Sequence, residues 1–72
     1  MSFRQKLAKY KAMASKQDII IPDLIQYVAE RSGYIIPMNR ITLIQVEDNR
    51  IIVVTTEYEI TIMENDVQVK QR

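Results

Sequence analysis

The order of apolar and polar positions changes character at Gly33, the single glycine of the chain. Before it, apolar residues recur at helical spacing; after it, they alternate. Phe3, Leu7, Tyr10 and Ala14 fall at i, i+4, i+7 and i+11, which marks one face of a helix over residues 3–14. Good helix formers fill that stretch, Ser2 is placed to cap its start, and the helix is expected to end near Ser15 or Lys16. Ile19, Ile20 and Ile21 form a short apolar run closed by Pro22. A residue before proline is pushed toward extended backbone, so this run reads as a brief strand or extended linker. Asp23 with Gln26 three residues later has capping-box spacing and predicts a second, short helix with Leu24, Tyr27 and Val28 on its apolar face. Gly33 supplies a left-handed residue for that helix to end on.

From Tyr34 the period is two. Residues 34–36 read as extended before Pro37, 41–47 as a strand, Asp48-Asn49 as a hairpin turn and 50–55 as the returning strand. Asn and Asp tolerate the positive φ that two-residue hairpins favour, and this register sets Glu47 across from Arg50. Tyr58, Ile60 and Ile62 alternate with Glu57, Glu59 and Thr61, the pattern of a strand with one wet face. Asn65-Asp66 is the expected second turn, leading into 67–70. No turn former stands at 56–58, so residues 51–63 also fit one long, bent strand. The expected architecture is α+β: one or two N-terminal helices packed on a three- to four-stranded antiparallel β-meander. It forms one domain over 1–72, divided into a helix over 1–16, an extended segment plus short helix over 17–33, and a sheet over 34–72.

Composition supports a sheet-dominated core. Of 21 Ile, Val and Leu residues, 18 are β-branched Ile or Val, which favour the pleated sheet. A chain of 72 residues buries only about 60% of its unfolded surface, a level at which small proteins use disulfides, metals or a partner subunit. The chain has no Cys and no His, which excludes disulfides and thiolate metal sites and removes the commonest general base. Association with another chain is the support left open. No apolar run reaches the length of a membrane span and no apolar segment follows the basic start, so the expected location is the cytoplasm. Size and composition suit a bacterial or phage accessory protein.

Charge is unevenly placed. Residues 1–16 hold Arg4, Lys6, Lys9, Lys11 and Lys16 with no acid, while residues 17–72 hold five cations against nine acids. These five N-terminal cations form the candidate partner-binding surface. Basic residues on an amphipathic helix suit a protein groove, nucleic-acid phosphates or an anionic membrane, in that order here, because the apolar stripe is narrow and lacks Trp. The alternative is that Phe3, Leu7 and Tyr10 dock on the sheet and the lysines are solvated.

Catalytic chemistry finds little purchase. The serines sit at helix ends, no base accompanies them, and Glu57, Glu59, Glu64 and Asp66 read as a solvated face and turn chemistry. One glycine cannot build a phosphate-cradling loop, so no cofactor or metal is expected. The four tyrosines are scattered over separate elements, unlike a base-stacking platform. The run Ile51, Ile52, Val53 and Val54 places apolar groups on both sheet faces, and a second copy of the chain or a partner would cover the face the helices leave.

The stretch D-N-R-I-I-V-V-T-T-E-Y-E-I-T-I followed by V-Q-V-K-Q, from Asp48 to about Lys70, resembles in pattern the hairpin of the small sporulation proteins called YabP-like. The family's turn glycines are missing here, with Tyr58 and Glu64 near their places. The resemblance implies a two-sided hairpin and carries no function over. The chain therefore reads as a non-catalytic interaction or assembly module, self-associating through its sheet, with nucleic-acid binding by the basic helix as the alternative.

Overall fold

A computed structural model describes residues 2–13 and 15–72. Two helices, α1 (Phe3–Ala12) and α2 (Gln17–Ser32), precede a 3-10 turn (Met38–Arg40) and four strands. The strands β1 (Ile41–Val46), β2 (Ile51–Thr55), β3 (Tyr58–Ile62) and β4 (Val67–Gln71) form an antiparallel sheet in the order β1-β2-β3-β4. This is the α+β meander that the change of period predicts.

Ser2 caps α1 through a full capping box: its hydroxyl accepts from the Gln5 N–H, and the Gln5 side chain accepts from the Ser2 N–H. Phe3, Leu7 and Tyr10 are buried as the stripe requires; Ala14, its expected fourth member, lies outside the described residues. The helix ends at Ala12, earlier than expected, and Met13 closes it by donating to the Lys9 and Tyr10 carbonyls.

The extended segment expected at 19–21 is helical. α2 begins at Gln17 and carries Pro22 inside it, with no side-chain cap at Lys16. Proline removes the N–H that would meet the Asp18 carbonyl, but Asp18 and Pro22 are both exposed, so water can satisfy that carbonyl. Burial decides the outcome. Ile20, Leu24 and Val28 stand four residues apart and are 2%, 1% and 0% exposed, a continuous stripe that only an unbroken helix delivers to the core. Asp23 is consequently no N-cap; it is an interior residue of α2. Gly33 ends the helix with φ 77°, its N–H on the Ala29 carbonyl.

Residues 34–37 form no strand, although Ile36 is buried. Between β1 and β2 the register closes on Glu47 and Arg50, so Asp48 and Asn49 form the expected turn. The third connection differs by one residue. Ile62 pairs with Val67, which makes Glu64 and Asn65 the turn and leaves Asp66 to close it, its carbonyl accepting from the Met63 N–H at 2.8 Å. Shifting that turn would carry Val67 and Val69 away from Ile62 and Ile60 to the opposite face.

Gly33 is the sole described residue at positive φ, so none of the hairpins uses the left-handed residues expected of two-residue turns. At 56–57, where no turn former exists, Thr55 does the work instead. Its hydroxyl donates to the Tyr58 carbonyl at 3.1 Å and accepts the Tyr58 N–H at 2.9 Å. That clip splits residues 51–63 into β2 and β3. It also satisfies Thr55, the one buried polar residue of the core among the described residues.

Both helices lie on one side of the sheet, α1 against β1 and α2 against β4. Their stripes meet Ile51, Val53, Ile60 and Ile62, all 0% exposed, in a single core cluster.

Candidate interaction surfaces

Since the apolar stripe of α1 is core, its cations are sorted by what lies around that stripe. Lys6 is half-buried between the helices. Its Nζ donates to Asp23 Oδ2 at 3.1 Å and stands 4.8 Å from the Tyr27 ring centre and 5.5 Å from that of Tyr10. The Tyr10 hydroxyl donates to the same Asp23 oxygen. That hydrogen bond, followed by the Lys6 bond and the charges of Lys6 and Lys9, holds the Asp23 carboxyl below its ordinary range against partial burial. Burial and the Asp23 carboxylate drive the Tyr10 hydroxyl far upward, so it remains a donor at every ordinary pH. Lys11 pairs with Asp48 at the first hairpin turn and lowers that carboxyl too. Arg4, Lys9 and Lys16 are exposed and make no salt bridge among the described residues. The five expected partner-binding cations therefore separate into two that tie α1 to the rest of the fold and three that face water.

The tyrosines are packing residues. Tyr27 stacks on Phe3 at 6.3 Å and carries the Arg31 guanidinium 5.1 Å above its ring, while Arg31 also donates to the Glu64 carbonyl. Tyr34 and Tyr58 meet edge to face at 6.2 Å. A cleft of about 340 Å³ lies between α1 and the hairpin turns, with Arg4 and Lys11 facing Asp48 and Glu64 across Phe3 and Leu7. Its charges are mixed, so it selects no anion or cation. Among the described residues no group of three His, Cys, Asp or Glu could hold a metal ion. Glu57 is paired with Arg40 at 2.8 Å, and Glu64 and Asp66 are exposed at the turn.

The four residues expected to form a self-association surface divide by face. Ile51 and Val53 point into the core at 0% exposure and are closed to any partner. Ile52 and Val54 lie on the outer face and are half-buried by their sheet neighbours. Leu43, opposite Val54 on β1 and 53% exposed, joins them, a residue that sequence reasoning did not single out although its alternation with Ile44 marks it. The remainder of that face is polar: Gln45, Glu59, Thr61, Gln68 and Lys70. Its apolar part is therefore confined to the β1–β2 side.

Among the described residues no helix is long and apolar enough to cross a membrane. Comparison of the chain with protein-family models, with curated proteins and with solved structures found no match.

Proposed function

We propose that this chain is a small non-catalytic interaction module that acts through protein–protein contact and associates with itself through its sheet. One observation supports this above the others: both helices cover the same sheet face, and the opposite face keeps Leu43, Ile52 and Val54 without a covering layer. Contact with another chain would remove that apolar surface from water, at roughly 25 cal/mol per Å². The competing nucleic-acid reading is weakened because Lys6 and Lys11 already neutralise Asp23 and Asp48. Light scattering over a wide concentration range tests the proposal. A mass rising above that of the 8.5 kDa monomer is expected, and a strict monomer at the highest concentration reached overturns it.

A further inference from the structure

The sheet has two free edges, and they differ. β4 carries Lys70 and is followed by Arg72, charges that oppose pairing with another strand. β1, Ile-Thr-Leu-Ile-Gln-Val, carries no charge and no proline. Glu47 donates to the Arg50 carbonyl at the hairpin's close, so Glu47 and Arg50 are a hydrogen-bonded pair. Strict alternation then turns the N–H and C=O groups of Ile44 and Val46 away from β2. No hydrogen bond among the described residues reaches them from that side.

We propose that a second copy of the chain occupies this edge, β1 pairing antiparallel with its own twofold mate about Gln45 to make one eight-stranded sheet. The inference rests on the self-association reading and places the contact at the β1 edge of the sheet rather than on its open face. Three features fit that occupant. Ile44 of each copy would lie opposite Val46 of the other, which pairs the outward N–H and C=O groups and avoids the irregularity between Ile41 and Leu43. Antiparallel self-pairing about Gln45 sets Glu47 of one copy opposite Leu43 of the other, so along β1 no like charges face each other across the seam. The edge is apolar on both sides, with Leu43 outside and, inside, a cleft of about 160 Å³ lined by Ile20, Ile44 and Val46 with Lys11 and Gln17.

Gln45 makes the arrangement testable. It is exposed, its amide donates to the Glu47 carboxylate at 3.3 Å, and the axis would set it against itself in a non-hydrogen-bonded pair. Such pairs hold Cα atoms about 4.5 Å apart, within disulfide range. The native chain has no cysteine, so Gln45→Cys introduces one thiol. On mild oxidation it should give a disulfide-linked dimer, while Gln68→Cys on β4 should stay monomeric under denaturing electrophoresis. Gln45→Lys should abolish the dimer seen by light scattering while keeping the wild-type circular dichroism spectrum, and Gln68→Lys should leave the dimer intact. A dimer that survives Gln45→Lys overturns edge pairing yet keeps self-association. A wild-type chain that stays monomeric throughout overturns both.

Discussion

Replacing Tyr10 with Phe removes one hydroxyl from a ring that is only 1% exposed and leaves the ring's packing in place. The lost interaction is a hydrogen bond to a carboxylate, a class contributing about 1.5–3 kcal/mol. The Asp23 side chain keeps 40% of its exposure and retains Lys6, so water and the ammonium offset part of the loss, and the lower end, about 1.5 kcal/mol, applies. Against a total stability on the order of 4–11 kcal/mol for a domain this long, that is a substantial fraction. It corresponds to a fall in Tm of roughly 6–12 °C. The assay is urea denaturation followed by circular dichroism, repeated from pH 7 downward. The folded-state pKa of Asp23 is lowered chiefly by the Tyr10 bond, so the stabilisation is fully present above the unfolded aspartate value near 4 and is lost as pH falls through the folded value. Without the hydroxyl, Asp23 returns toward its ordinary range. The gap between wild type and Tyr10→Phe should therefore be widest above about pH 4 and narrow below it. Equal stabilities at pH 7, or a gap unchanged at low pH, would refute the assignment.

Other substitutions probe the fold at separate points. Ile60→Ala opens a cavity beneath the helices and should cost about 2–5 kcal/mol, whereas Leu43→Ala on the open face should cost under about 1 kcal/mol; similar losses at the two would mean the faces are misassigned. Thr55→Val keeps the volume of the side chain but leaves Tyr58 without both hydroxyl bonds, a loss of about 1–3 kcal/mol readable by urea denaturation. Gly33→Ala meets nothing within 4 Å of the new Cβ, yet φ of 77° should still make it about 1–2 kcal/mol less stable, with Gly33→Asn milder than Gly33→Ala. Pro22→Ala restores the N–H facing the Asp18 carbonyl in an exposed stretch of helix and should raise Tm; a lower Tm would show that the proline limits the unfolded chain more than it burdens α2.

What could be read from the sequence was what local periodicity decides. The Phe3, Leu7 and Tyr10 stripe, the end of α2 at Gly33 and the first hairpin turn follow from neighbours within a few residues. At 19–21 the local rule makes Pro22 a boundary, whereas burial of Ile20, Leu24 and Val28 carries the helical stripe through it. At 64–66 two turn formers stand side by side, and only the pairing of Val67 with Ile62 selects between registers. Thr55 was invisible as a turn residue because its hydroxyl acts from the last position of a strand. Among the surfaces, the fate of the charges was least legible. Lys6 meets Asp23 17 residues away and Lys11 meets Asp48 37 residues away, partnerships that depend on the packed fold.

Those two ion pairs change the meaning of the basic N-terminal segment. A segment of sixteen residues with five cations and no acid, beside a body rich in acids, first suggests an arm reaching outward. In the folded chain the same asymmetry helps fix where α1 lies, with Lys6 bridging to α2 between two tyrosine rings and Lys11 reaching the β1–β2 turn. The hydrophobic stripe supplies the driving force for docking, and the exposed Lys11 pair adds little energy but favours one placement over others. With α1 held against β1 and α2 against β4, both helices lie on one face of the sheet and leave the second face uncovered. Leu43, Ile52 and Val54 are then left on the side of the sheet that neither helix reaches, beside the outward N–H and C=O groups of Ile44 and Val46.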